Sequence, residues 1–331
     1  MAYAPFSNNY VQMAQEGTPG TSVPALHVWR GAFSMLEDSR TRVIVDEQIG
    51  TLFQPERSYD SMLMATWNQP DTPLTFEQIL HILEAGVKTV TPTGAGPYVY
   101  AYTMPVTGSF NTTKTYTIET GNVTVAGDQY EMAYGFVESF KLSGNPGETW
   151  MMGSVWKGRQ MVQAAKTGSL TVPTVNEAPF AYTKLYIDAT GGTIGTTQKT
   201  GVLMGAEVNV TTGLKAVPVG DGNLYFAATK WTKPEVTFSL TIELEDSSVA
   251  ATERGFYRSN TTRLIRLLCE RSANLKLQID LAARYDSISD YSNTDGNTTL
   301  TLNGHATLSS ADSLSASFTI TNNLPTAVTV A

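Results

Sequence analysis

Between residues 134 and 144 apolar side chains recur at even positions, and the same happens between 148 and 160. The first set is Tyr134, Phe136, Phe140 and Leu142; the second is Trp150, Met152 and Trp156. Side chains alternate across a strand, so each set predicts one apolar face. Asn145-Pro146-Gly147 between them carries turn chemistry, which makes the pair a long hairpin. A different period precedes it. Phe76, Ile79, Leu80, Leu83 and Val87 fall on one face of a helix over 75–88. Thr75 with Gln78 forms a capping box at its start, and Gly86 suits its end. His81 lies off the apolar face, so it is expected at solvent or at an interface.

Further strands are expected at 26–30, 41–46, 99–104, 115–119 and 128–143. Residues 1–24 carry Pro5, Gly17, Pro19, Gly20 and Pro24 without periodicity and read as an extended arm. Residues 49–73 are interrupted by Pro55, Pro70 and Pro73 and read as a long connection. Yet this stretch holds Leu52, Phe53, Met62, Leu63, Met64 and Trp67. A solvated loop has no use for so many large apolar groups, and long loops in compact domains are usually interaction segments.

The second half follows a similar plan after a Pro-bounded linker at 172–179. Strands are expected at 183–188, 201–211 and 235–244, then a helix from about Asn260 carrying Leu264, Ile265, Leu267 and Leu268. That helix would also hold the densest basic group, Arg263, Arg266 and Arg271. Leu275, Leu277, Ile279 and Leu281 then alternate as a strand, with others near 298–302 and 314–320. The segment 205–210 is similar to 135–140, which suggests a duplicated fold. The expected organisation is an arm at 1–24, a β domain at 25–171, the linker, and a second β domain at 180–331.

The chain has 331 residues, and domains typically take ~100–200. Charged residues make up 16 % against an ordinary ~25 %, a balance that disfavours long solvated helices and suits a surface covered by neighbours. The net charge is −8 and no basic stripe is visible, so specific nucleic-acid binding is not expected. An acidic surface is compatible with DNA sliding past it. The single cysteine, Cys269, excludes an intrachain disulfide and is expected as a buried, inert thiol. Neither a signal peptide nor an apolar run of the ~18 residues that a membrane span needs is visible.

Catalytic, cofactor and metal motifs are not evident. His27, His81 and His305 fall in separate expected elements. Gly94-Ala-Gly96 and Gly191-Gly-Thr-Ile-Gly195 lack the lysine of a phosphate loop. The stretch 290–297 fails as a calcium loop, because Asp295 stands where glycine belongs and Thr301 where the bidentate glutamate belongs. It reads as a hairpin tip.

Four pieces together resemble the tail tube proteins of long-tailed, siphovirus-like bacteriophages. They are Phe53-Gln-Pro-Glu-Arg-Ser-Tyr59, the helix opening Thr75-Phe-Glu-Gln and reaching Leu83-Glu-Ala-Gly86, the strand Tyr116-Thr-Ile-Glu-Thr-Gly121, and the hairpin ending Trp156-Lys-Gly-Arg-Gln160. They cover roughly residues 25–165; the second half matches by plan alone. The resemblance implies two tandem β-sandwich or partial-barrel domains, each flanked by one helix. It implies no catalytic residue, cofactor or metal. Rings would close around a lumen through which DNA passes non-specifically, and would stack into a tube in the virion tail, assembled in the host cytoplasm. A chain with two such domains would form a trimeric, pseudo-hexameric ring, with a plain hexamer as the alternative. The implied partners are the chain itself, a tape measure protein, a tail terminator and baseplate proteins, with no membrane. Glu119, Glu138 and Glu207 are the candidate acidic lumen residues. Leu52, Phe53, Tyr59, Met62, Met64 and Trp67, with the arm, are the candidate contacts between rings. A baseplate or neck component of the same fold, and a β-sandwich module for carbohydrate or a cell surface, remain as alternatives.

Overall fold

Antiparallel ladders carry the fold, as the alternation and the low charge density require. The computed structural model describes residues 3–53, 56–106, 108–244, 249–294 and 296–327. The first half runs β1 (Asn9–Gln15), β2 (His27–Val28), β3 (Glu37–Asp38), β4 (Thr41–Ile44), β5 (Ser58–Met62), β6 (Ala65–Pro73), α1 (Ile79–Gly86), β7 (Tyr98–Thr103), β8 (Tyr116–Asn122), β9 (Gln129–Gly144), β10 (Met151–Gly158) and β11 (Met161–Gln163). The second runs β12 (Thr183–Ala189), β13 (Gln198–Lys199), β14 (Leu203–Thr211), β15 (Leu214–Val217), β16 (Ala228–Trp231), β17 (Glu235–Glu243), α2 (Val249–Arg258), β18 (Arg263–Ser272), β19 (Leu275–Ile288), β20 (Ser292–Thr294), β21 (Asn297–Ala306) and β22 (Ala316–Asn322). The protein is mostly β, as expected, with two helices among the described residues.

One pairing plan is used twice. In the first half β1 pairs with β8, β8 with β9, β9 with β10, and β10 with β6. In the second half β12 pairs with β18, β18 with β19, β19 with β21, and β21 with β17. α1 follows β6 as α2 follows β17. A short hairpin, β4–β5 or β15–β16, precedes each of those strands. Even the irregularities match. The β9–β10 ladder skips Glu138, between Ser139 opposite Val155 and Val137 opposite Trp156. The β19–β21 ladder skips Asp286, between Ser287 opposite Asn303 and Tyr285 opposite Gly304. A bulge inserts one residue on one strand and re-aims what lies before it.

The bulge at Glu138 corrects the simple alternation. Val137, Phe140 and Leu142 face the main core, whereas Tyr134 and Phe136 join a separate cluster with Leu214 and Phe226. The four even-numbered residues therefore do not share one face. On β10, Trp156 lies in the main core with Trp150 and Met152, its ring centroid 6.0 Å from that of Trp67.

Other expectations change as well. The arm at 1–24 contains β1, whose Val11, Gln12, Met13 and Ala14 are buried between β2 and β8. The connection at 49–73 contains β6, which lies against β10 despite Pro70 and Pro73. Within it, Gln54 and Pro55 of the quoted motif lie outside the described residues, as does Asp295 of the hairpin tip. The second helix is α2, and the segment from Arg263 is strand β18, held between β12 and β19. Its Arg-Leu-Ile-Arg-Leu-Leu run fits a helical and a two-residue period equally well, and the two ladders decide it. Finally, β14 is not the counterpart of β9. It pairs with β17 as β3 pairs with β6, and it lies alongside β9.

Thr75 closes the turn that leads into α1, its hydroxyl accepting the Gln78 N–H at 3.2 Å, but the helix itself starts later than expected, at Ile79, with Gln78 at its N-cap and no side-chain cap there. All eight helical residues are buried, including His81 and Glu84. His81 is thus neither solvated nor at a surface. Its ring lies 5.2 Å from that of His27 and its Nδ1 3.3 Å from the Tyr116 hydroxyl.

Candidate functional site

The place where the halves meet is built from main chain. Along Ser139–Gly144, β9 is paired with β10 and also with β14, in the register Gly144–Ala206, Leu142–Val208 and Phe140–Val210. The sheet therefore runs from β6 through β10, β9 and β14 to β17 and β21. Val208 and Leu142 are both fully buried, so the junction is sealed by side chains as well as by the ladder.

Beyond β14 the chain turns at Thr212, whose hydroxyl donates to the carbonyls of Val137 and Glu138 at 2.9 and 3.0 Å. The β15–β16 hairpin then folds over the first half. Phe226 meets Tyr134 and Phe136 edge-on, with centroids 5.1 and 5.9 Å apart. The Arg159 guanidinium lies 4.7 Å over the Tyr134 ring and donates to the carbonyls of Phe226 and Ala227. The Lys215 ammonium sits 2.7 Å from a carboxylate oxygen of Glu138. Nothing in the sequence reading marked this hairpin. Its signal is weak, with Gly213, Gly220 and Gly222 around an unremarkable alternation.

The matching hairpin of the first half, β4–β5, presents apolar groups to solvent. Ile44, Ile49, Leu52, Phe53 and Tyr59 are all exposed, Leu52 completely. Its base is held by Asp60, which binds Arg42 at 2.8 Å and Arg40 at 3.1 Å. The hydrogen bond from Arg42, ahead of the other causes, holds the Asp60 carboxyl below its ordinary range.

The residues singled out from sequence separate accordingly. Leu52, Phe53 and Tyr59 lie on the projecting hairpin. Met62 and Met64 are half-buried and line a groove with Phe136, Ala216, Pro218 and Phe226 of the junction. Trp67 is wholly buried in the core, which removes it as a surface contact. Among the acidic candidates, Glu119 is buried. It accepts hydrogen bonds from Gln12 Nε2, Ala25 N, Thr167 N and Thr167 Oγ1 at 2.6–3.1 Å, and so ties together separate segments of the first half. A side chain consumed in this way cannot face a channel. Glu138 is bound to Lys215, and Glu207, half-buried on β14, accepts from Asn209 Nδ2 at 2.7 Å. The structure does not bring the three together at one site.

The basic group is likewise dispersed. Arg263 is buried against Glu253 of α2, which also accepts the Tyr285 hydroxyl, and Arg266 forks onto Asp280 at 2.7 and 2.8 Å. Cys269 is buried on β18, and burial pushes its thiol up to about 11. Around α1, burial drives His81 down to about 3 and Glu84 up to about 7. Among the described residues no group of three or more His, Cys, Asp or Glu has the arrangement of a metal site, and no helix is long and apolar enough to cross a membrane.

Comparison with known proteins finds no family model that matches this chain and no curated protein that matches it.

Proposed function

We propose that the protein is a structural virion component that assembles head-to-tail into rings, stacked as the tail tube of a long-tailed phage. The observation that carries this reading is the β9–β14 junction. One fold plan is used twice, and the two uses are joined by adding a strand of the second to the long strand of the first. Repeating that join between chains would generate a heterologous interface, and such an interface closes into a ring when the rotation permits. Closure also removes the strand edges that a free sheet presents to aggregation.

In this reading each chain supplies two of six quasi-equivalent units, so a ring holds three chains. The chain performs no catalysis; DNA would pass through the lumen without specific contact, and the tape measure protein, tail terminator and baseplate proteins would be the other partners. The exposed apolar side chains of β4–β5, Leu52 and Phe53 above all, supply contacts between successive rings. Exposed apolar groups gathered on one projection mark an interaction surface.

Electron microscopy of the purified protein tests the reading. Long tubes with three chains per ring are expected, and a Leu52→Ser, Phe53→Ser double variant should retain rings but lose stacking. A protein that stays monomeric at high concentration would overturn the assignment, and rings of six full-length chains would overturn the stoichiometry.

A further inference from the structure

The internal junction uses only one of two equivalent pairs of edges. We infer that the other pair, β3 with β4 of one chain and the 286–291 edge of the next, forms the contact between subunits; the inference rests on the ring reading above.

The bulges give the register. Glu138 and Asp286 are the skipped residues of equivalent ladders, so Ser139, Phe140 and Lys141 correspond to Ser287, Ile288 and Ser289. On the other side, Asn209 of β14 stands opposite Thr237 of β17, and Glu37 of β3 stands opposite Thr66 of β6. Thr237 and Thr66 are themselves equivalent, facing His305 and Lys157 on the matching strands β21 and β10. Hence Glu37 corresponds to Asn209 and Leu36 to Val208, and both of the latter pair are buried.

In the internal junction Asn209 pairs with Lys141. Carried over, Glu37 of one chain pairs with Ser289 of another, antiparallel and in the same sheet. Both edges are open for it. Among the described residues β3 is paired only with β6, and beyond Ala283 no strand continues along the side of β19 that β18 occupies. Asp38 is exposed at the place where its counterpart Val210 is buried by β9. The charges also agree. The internal Lys215–Glu138 pair has its counterpart in Arg42, second in β4 as Lys215 is second in β15, and in Asp286 at the bulge. Both side chains are more than half exposed, at 57 % and 53 %. Arg42 now holds Asp60, which Arg40 also binds at 3.1 Å and would keep as a partner, and Asp286 holds His305. The occupant is a second copy of this chain, because it carries the equivalent of β14 in the equivalent register.

Disulfide trapping decides the matter, since directly opposed antiparallel residues have Cα atoms about 4.5–5.5 Å apart, within reach of a disulfide. A Glu37→Cys, Ser289→Cys variant is oxidised and run without reductant, beside an Asn209→Cys, Lys141→Cys variant that traps the internal junction within one chain. Circular dichroism checks that both fold. The expected result is covalent species of two and three chains for the first variant, and single chains of raised mobility for the second. Tubes that form without the Glu37–Ser289 cross-link would overturn this interface and leave the tail-tube reading standing. Cross-linked oligomers without rings or tubes would support the interface and sink the tail-tube reading. Only single chains, with neither rings nor tubes, would overturn both.

Discussion

Lys215 and Glu138, from opposite halves of the chain, meet at 2.7 Å beside the ladder that sets Asn209 against Lys141. Half-exposed pairs of this kind contribute little by themselves, about 0–1 kcal/mol. Their importance is positional, since they mark a seam across which sheet and core are continuous.

The two halves should therefore unfold together. β9 belongs to the ladders of both, and Val208 and Leu142 are fully buried as direct partners across the seam. Calorimetry should give a single transition with equal calorimetric and van't Hoff enthalpies. Leu142→Ala should lower stability by about 2–5 kcal/mol without splitting it. Two resolved transitions in the native chain would show that the seam is weaker than its geometry implies.

Arg263 and Glu253 form a second test, because both are buried and bound to each other. Arg263→Ala leaves the Glu253 carboxylate with the Tyr285 hydroxyl as its remaining partner in this group, and should cost about 3–5 kcal/mol. The double variant Arg263→Met, Glu253→Leu should recover much of that loss. Denaturant titration of the single and double variants measures both, and equal destabilisation of the two would argue against an uncompensated charge as the cause.

Around α1, Glu84 and His81 should bend the pH profile in opposite senses. The Glu84 carboxyl goes from 4.5 unfolded to about 7 folded, chiefly through burial, so the native state holds a proton that the unfolded chain releases. Its contribution is present below the unfolded value and is lost as pH rises through about 7. His81 goes from 6.5 to about 3, again through burial, so its contribution is present above 6.5 and is lost as pH falls towards 3. Each slope is at most about 1.4 kcal/mol per pH unit, and between 4.5 and 6.5 they oppose each other. Glu84→Gln removes one of them. The melting temperature of this variant, minus that of the native chain, should climb steadily from pH 4.5 to 7, and a flat difference would refute the shift.

Removing residues 1–24 should unfold the first half instead of merely weakening stacking. The deletion takes away β1, a strand flanked on both sides and carrying the fully buried Met13. It also removes Gln12, a donor to Glu119, and Glu16, whose carboxylate accepts from Thr115, Thr117 and the Tyr134 N–H. Far-ultraviolet circular dichroism and proteolysis of the truncated chain would show this, and a folded, protease-resistant product would contradict it.

Much of the architecture is legible in local patterns. The β9–β10 hairpin follows from the spacing of Phe140, Leu142, Trp150, Met152 and Trp156 around an Asn-Pro-Gly turn, and α1 from the recurrence of Ile79, Leu80 and Leu83 at helical spacing. The low charge density pointed to strands, and strands dominate. What the tertiary structure alone decided is everything that depends on a partner distant in sequence. Arg263 looked like a helix residue because one short apolar run satisfies two periods, and only the ladders to β12 and β19 choose between them. Glu119 looked free because a carboxylate on a strand gives no hint of Gln12 and Thr167 converging on it from 107 and 48 residues away. The bulge at Glu138 lies where β9 passes from its pairing with β8 and β11 to its pairing with β10 and β14, all of them partners distant in sequence or fixed by the sheet. Periodicity is a property of neighbours along the chain, whereas register, burial of charge and the choice of sheet edge are properties of neighbours in space.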